Sequence, residues 1–87
     1  MPTCELTIPN KEGLHARPAA KFVKVANEFS SEIWVQKDDE EINGKSIMGL
    51  MMLAASQGTV IEVSAEGADA EQAIEKLSAL VNGGFEE

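Results

Sequence analysis

The sequence predicts a two-layer α+β domain in which helices cover one face of a mostly antiparallel sheet. Two observations lead to this fold class. Short segments with alternating or β-branched apolar residues predict strands, and longer segments with apolar residues three and four positions apart predict helices. These segments follow one another in the order β-α-β-β-α-β-α. At 87 residues, the chain is expected to form one domain over residues 1–87.

The first strand and the first helix follow from a change of period near position 16. Residues 4–8 alternate, with Leu6 and Ile8 on one side, which predicts a half-buried strand. Beyond a loop, an apolar stripe at helical spacing predicts a helix from position 16. The stripe consists of Ala19, Phe22, Val23, Ala26 and Phe29. Pro18 falls in the first turn, where its missing N–H costs little, so this helix begins next to His15.

The middle of the chain predicts a hairpin. Residues 32–37 alternate, with Ile33 and Val35 on the face opposite to Trp34. The acidic pair at 38–39 predicts a tight turn, and residues 40–43 form the short returning strand. The acidic run that spans this turn lacks the spaced ligands of a calcium-binding loop, so we interpret it as a solvated turn.

The second half of the chain predicts a short helix, a strand and a final helix. Ser46 is expected to cap a helix that runs to about position 53. Residues 59–65 are rich in β-branched side chains and predict a strand. Asp69 then opens the last helix, and Gln72 three positions later resembles the partner in a capping box. Glycines at 83 and 84 end this helix.

Composition narrows the function classes. Fifteen acidic and seven basic residues give a net charge of −8, which does not favour nucleic acid or an anionic membrane. Cys4 is the one cysteine, so no intramolecular disulfide and no multi-cysteine zinc site is expected. The most apolar stretch, residues 47–55, is shorter than the ~20 residues of a membrane helix. We expect a cytoplasmic protein without a metal, a cofactor or a membrane-inserted segment.

The single histidine of the chain, His15, stands at the predicted start of the first helix. The first N–H groups of a helix are unpaired and carry the positive end of its dipole, which suits a phosphate group. Arg17 adds a cation whose donors match phosphate oxygens. Both features disfavour a positive charge on the imidazole, and both attract a phosphoryl dianion once it is attached. A lone histidine without a role is the alternative reading.

Residues 13–19, with the sequence Gly-Leu-His-Ala-Arg-Pro-Ala, resemble the active-site signature of the HPr family. These proteins are the phosphocarriers of the bacterial phosphoenolpyruvate-dependent phosphotransferase system. The resemblance extends to chain length and element order, and it implies an open-faced sandwich of a four-stranded antiparallel sheet and three helices. It also implies that enzyme I phosphorylates His15 at Nδ1, that Arg17 steadies the phosphate, and that an EIIA-type domain receives it. Such a protein would be a carrier rather than a stand-alone catalyst, and an exposed transfer site favours a monomer.

Residues 43–49 are similar to the regulatory serine region that an HPr kinase/phosphorylase modifies. Phosphate on Ser46 would sit at a helix N-terminus and would set a negative charge beside Ile47, Met48 and Met51. We expect these three side chains to form an exposed apolar patch next to His15 that suits partner docking. The expected partner-binding residues of the first helix are Ala16, Ala20 and Lys24.

Alternatives remain open at this point. The protein could be a regulatory binding module that acts through Ser46 and the 47–51 patch without an obligatory phosphoryl relay. A small-ligand sensor would rest on the fold pattern alone. Glu12 places a carboxylate where many family members carry a small polar residue. Residues 10–13 and the acidic end at 83–87 resemble the nitrogen-related branch, NPr, whereas Met48 and the glycine after it resemble the sugar branch, so sugar transport and nitrogen regulation both stay possible.

Overall fold

The computed structural model describes residues 1–86 and has the predicted element order. The strands are β1 (Thr3–Thr7), β2 (Glu32–Lys37), β3 (Glu40–Asn43) and β4 (Val60–Glu66). The helices are α1 (Ala16–Ala26), α2 (Ile47–Met52) and α3 (Ala70–Asn82). Within residues 1–86, no helix has the length and apolar character needed to cross a membrane. Glu87, the last residue of the acidic end, lies outside the described residues.

The four strands form one antiparallel sheet in the order β1-β4-β2-β3. Ile33 and Val35 are fully buried under the helices, while Trp34 is half-buried on the opposite face. Trp34 lies between Ser64 of β4 and Asn43 of β3 in the sheet register. The alternation predicted for β2 and the open-faced sandwich are therefore confirmed, with one sheet face left uncovered by helices.

The core lies between the inner face of the sheet and the helices, and it also determines where the elements end. Ile8 is fully buried just beyond β1, where its backbone exchanges hydrogen bonds with Gly58 and Thr59 at 2.8 and 2.9 Å. α1 ends at Ala26, three residues before the end of its apolar stripe. The chain then makes a tighter turn, in which the Phe29 N–H donates a hydrogen bond to the Ala26 carbonyl three residues before it. Phe29 still packs against the core.

The capping box predicted at α3 is wrong. The Asp69 side chain makes no hydrogen bond to its own helix. Its carboxylate instead accepts hydrogen bonds from the backbone N–H groups of Ser30 and Ser31, at 2.9 and 3.0 Å, and from both serine hydroxyls. The loop between α1 and β2 offers these donors, and Ser31 is buried, so the carboxylate satisfies groups that would otherwise lack an acceptor. The Ser31 hydroxyl and then the Ser30 N–H hold the pKa of Asp69 at about 2.

The chain folds back after α3. The predicted stop at Gly83 and Gly84 is confirmed, since α3 ends at Asn82. Phe85 then turns inward, where its N–H donates to the Leu80 carbonyl at 2.8 Å and its ring is buried. The Phe85 carbonyl accepts a 2.8 Å hydrogen bond from Lys21 Nζ of α1. This contact brings the C-terminal segment beside the first turns of α1.

Candidate functional site

The helix start at His15 presents unpaired backbone donors. His15 is the N-cap of α1, with an extended backbone and a carbonyl that accepts the Ala19 N–H at 2.7 Å. Its imidazole is exposed and makes no capping hydrogen bond. Pro18 has no N–H, and within residues 1–86 the N–H groups of Ala16 and Arg17 have no acceptor. Two backbone donors are therefore available to an anion beside the imidazole.

The loop before His15 is fixed against the chain that follows α2. Gly13 has φ +70°, and a Cβ at this position would lie 2.5 Å from the Ala55 carbonyl oxygen. The next residue, Leu14, is buried, and its N–H donates to that same carbonyl at 2.8 Å. Asn10 Nδ2 donates to the Gly13 carbonyl at 3.0 Å. These contacts set the direction in which the chain enters α1 and so fix the position of His15.

His15 lines a small open cavity of about 150 Å³ together with residues from the end of α2. The other walls are Leu14, Met51 and residues 54–56. The structure thus brings Met51 beside His15, as the sequence predicted, whereas Ile47 and Met48 do not line this cavity. The imidazole remains reachable from outside the protein, which a group-transfer site between two proteins requires.

Arg17 lies in a different cleft from His15. This cleft, of about 390 Å³, is formed by the loop before α1, the first turns of α1 and the C-terminal segment. Its lining residues are Asn10, Glu12, Arg17, Pro18, Lys21, Gly84, Phe85 and Glu86. Residues two apart on a helix do not face each other, which explains why Arg17 does not share the cavity of His15. Within residues 1–86 the guanidinium makes no ion pair and no hydrogen bond.

Glu12 contributes a negative charge to the Arg17 cleft. The pKa of its carboxyl group is lowered first by a hydrogen bond from its own backbone N–H and then by the Asn10 amide, which lies 3.3 Å from Glu12 Oε1. The positive charges of Lys11 and Arg17 lower this pKa further. Glu12 is therefore ionised at neutral pH and faces the same solvent-filled space as Arg17. The sequence indicated that Glu12 differs from the small polar residue of many family members, but it did not predict that Glu12 would share a cleft with Arg17.

The surface of α2 carries four exposed apolar side chains, which we call the α2 patch. They are Ile47, Met48, Met51 and Met52, exposed by 42%, 73%, 43% and 73%. Leu50 is fully buried on the opposite side of the helix. Met52 was not predicted, although the spacing of the buried Leu50 and Leu53 places position 52 outside the core.

The remaining predicted site residues also lie on the surface. Ser46 is the N-cap of α2, and its hydroxyl accepts the Gly49 N–H at 3.0 Å, which confirms the predicted cap. Ala16, Ala20 and Lys24 are exposed, and their spacing of four places them along one stripe of α1. Because α1 packs against α2, the stripe and the α2 patch belong to neighbouring helices.

An exposed histidine at a helix start in a small fold fits a group carrier better than an enclosed catalyst. The family model for the PTS HPr component phosphorylation site matches residues 2–83. The phosphocarrier protein HPr of Neisseria meningitidis serogroup A is 56% identical over 82 residues, covering 94% of this chain and 92% of the relative. The chain belongs to the HPr family of phosphocarriers, as its sequence predicted.

Solved structures agree with this assignment. The crystal structure of HPr-C-His from Thermoanaerobacter tengcongensis superposes with a TM-score of 0.96 at 55% identity, covering 100% of this chain and 99% of that chain. The crystal structure of Crh from Bacillus subtilis superposes with a TM-score of 0.79 at 45% identity, with full coverage of both chains. Crh is described there as a dimer with a swapping domain. Relatives of this fold thus include a dimer, and the monomer expected here stays a prediction.

Proposed function

We propose that the protein accepts a phosphoryl group on His15 from enzyme I and passes it to an EIIA-type domain, within the cytoplasm. The observation that supports this most directly is the exposed imidazole at the N-cap of α1, beside two backbone N–H groups without an acceptor. The family supports it independently, since its matching model describes a phosphorylation site of the HPr component of the phosphotransferase system.

The chemistry needs an electron pair on the imidazole and a place for negative charge. A ring nitrogen of His15 attacks phosphorus, the new P–N bond forms as the bond from phosphorus to the donor atom breaks, and the donor atom keeps that electron pair. Onward transfer reverses these steps with the acceptor as nucleophile. The attached group carries about −1.5 to −2 charges at neutral pH. The N–H groups of Ala16 and Arg17 face this charge without rearrangement, and the free Arg17 side chain swings across to it.

Partner docking is the role we propose for the α2 patch and the α1 stripe. The patch offers flexible methionine side chains, which adapt to more than one partner surface. The stripe of Ala16 and Ala20 lets a partner approach α1 closely, and Lys24 supplies a positive charge at its end. A partner seated on both helices would cover His15 and exclude water during transfer. Because the cavity beside His15 is open, each partner would complete the site.

The direct test is phosphoryl transfer from phosphoenolpyruvate through enzyme I, followed by intact-mass measurement under mildly alkaline conditions. The wild type should gain one phosphate, and His15→Ala should gain none on histidine. Arg17→Gln should still be labelled, but more slowly. Equal acid-labile labelling of His15→Ala would refute the assignment. Enzymes I of the sugar and nitrogen branches are used in parallel, and the faster one identifies the pathway.

A second role is favoured by the position of Ser46. Its hydroxyl caps α2 directly beside Ile47 and Met48, so a phosphate there would keep a helix-capping acceptor and add charge at the edge of the α2 patch. We propose that an HPr kinase/phosphorylase modifies Ser46 and thereby weakens docking. The alternative, a binding module without phosphoryl relay, uses the same surface.

Two substitutions at Ser46 separate capping from charge. Ser46→Asp keeps a capping oxygen and adds a negative charge, so transfer from enzyme I should require a higher carrier concentration. Ser46→Ala removes the cap without adding charge, so docking should persist while kinase labelling disappears. Unchanged concentration dependence in Ser46→Asp, or kinase labelling of Ser46→Ala, would contradict this role. If His15→Ala retained every cellular effect, the binding-module alternative would be preferred.

A further inference from the structure

The cleft that holds Arg17 contains a balanced set of charges. Arg17 and Lys21 contribute two positive charges, and Glu12 and Glu86 contribute two negative ones. Lys21 already has a partner, because its Nζ donates a hydrogen bond to the Phe85 carbonyl at 2.8 Å. Within residues 1–86, Arg17 has no such partner, so its guanidinium is free to move within the cleft.

Glu12 is a negative charge that a hydrogen bond holds in place beside this cleft. The Asn10 amide, at 3.3 Å, holds Glu12 Oε1 at the rim of the cleft, and a second hydrogen bond from the same amide ties Asn10 to the Gly13 carbonyl at 3.0 Å. Gly13 is in turn packed against Ala55, so Glu12 belongs to the rigid loop that also fixes His15. Glu86 follows the last helix near the chain end and has no hydrogen bond that fixes its carboxylate among residues 1–86.

We propose that Glu12 is a positioning residue: its carboxylate attracts Arg17 toward this cleft while His15 is unmodified, without forming an ion pair, and it competes with the phosphoryl group for the guanidinium. When His15 is phosphorylated, Arg17 must then move away from the Glu12 carboxylate in order to reach the phosphoryl group. Glu12 thereby destabilises the phosphorylated carrier and raises its tendency to pass the group on. This inference rests on the function proposed above, in which His15 accepts the phosphoryl group.

The effect on transfer follows from a difference between two states. A contact that is equally strong before and after phosphorylation would leave the transfer equilibrium unchanged. Glu12 attracts Arg17 in the unmodified protein and repels the phosphoryl dianion in the modified one, so both contributions act in the same direction. Charges about 4 Å apart in water interact by enough to change an equilibrium about fivefold. Glu12 and Arg17 form no ion pair at that distance, so we expect a smaller change, of about twofold, and salt screens it.

The experiment measures the equilibrium of phosphoryl exchange between phospho-enzyme I and the intact protein, by mass, under alkaline conditions. Glu12→Gln keeps an oxygen that accepts from Asn10 but removes the charge, and it should shift the equilibrium about twofold toward the phosphorylated carrier. Glu12→Asp restores the charge and should return the equilibrium toward the wild-type value. Glu62→Gln makes the same change of net charge on the exposed side of β4 and should leave the equilibrium unchanged. The shift should shrink in high salt.

Combining Glu12→Gln with Arg17→Gln tests whether Glu12 acts through Arg17. The shift caused by Glu12→Gln should be smaller when Arg17 is absent, and a shift of the same size would overturn the positioning role. A wild-type equilibrium in Glu12→Gln, or an equal shift in Glu62→Gln, would also overturn the proposal. These outcomes leave His15 labelling intact, whereas failure of the wild type to be labelled at all would instead refute the phosphocarrier role itself.

Discussion

Replacing Gly13 by alanine should destabilise the fold and displace the loop that carries His15. Gly13 has φ +70°, a conformation that costs an alanine roughly 1 kcal/mol. The new Cβ would also lie 2.5 Å from the Ala55 oxygen and 2.9 Å from the Ser56 Cα. Both are backbone atoms, so no side-chain rotation relieves the overlap, and such overpacking costs about 1–3 kcal/mol.

The total cost should therefore be about 3 kcal/mol, a large part of the 5–15 kcal/mol by which small domains are stable. Gly84→Ala is the matched control, because Gly84 has φ +73° and a Cβ there would have no heavy atom within 4 Å. It should cost only the conformational part, about 1 kcal/mol. The difference between the two variants isolates the packing of the loop against Ala55.

Urea unfolding followed by the fluorescence of Trp34 measures both free energies of unfolding, and phosphoryl transfer from enzyme I is measured on the folded proteins. Gly13→Ala should also transfer more slowly than Gly84→Ala, because moving the loop moves the N-cap of α1. Equal destabilisation by the two substitutions would refute the reasoning, since the contact with Ala55 would then carry no cost.

Two further predictions concern the ends of helices. The pKa of Asp69, at about 2, lies below its ordinary 3.8, so the ionised carboxylate stabilises the fold above about pH 4 and this contribution is lost as the pH falls toward 2. Urea unfolding between pH 2 and 5 should show a free energy of unfolding that falls as the pH falls, and the fall should be smaller in Asp69→Asn than in the wild type. An equal fall in both proteins would exclude the contacts of Asp69 to Ser30 and Ser31 as a cause. Ser46→Ala should cost about 1 kcal/mol by freeing the Gly49 N–H, and Ser46→Asp should regain most of it. If the aspartate variant is as unstable as the alanine variant, capping is not what stabilises this position.

Features whose partners are close in sequence could be predicted from the sequence. The Ser46 cap needs only an N–H three residues away, and β2 alternates because one of its faces is buried along its whole length. The start of α1 is similarly local, since Pro18 and the apolar stripe determine it together. For the same reason His15 was correctly placed at the N-cap.

Features whose partners are distant in sequence could not be predicted in this way. Asp69 bonds a loop 38 residues away, and Lys21 bonds a carbonyl 64 residues away. Asp69 had a plausible local partner in its own helix, whereas Lys21 has no acidic residue three or four positions away. Only the folded chain shows which partner each side chain uses. The separation of Arg17 from His15 was accessible in principle, because residues two apart on a helix point in different directions.

The helix start combines rigid and mobile groups, and this combination explains how one site can serve two charge states. Leu14 and Pro18 are buried on either side of His15, so the backbone N–H groups of Ala16 and Arg17 are held in place in every state. The Arg17 side chain is exposed and unpaired within residues 1–86, so it can move between the Glu12 cleft and the phosphoryl group. Fixed donors reduce the reorganisation that transfer requires, while a mobile cation allows the phosphoryl group to be released again. An arginine fixed beside the phosphoryl group would hold that group more tightly, and the protein would be a poorer carrier.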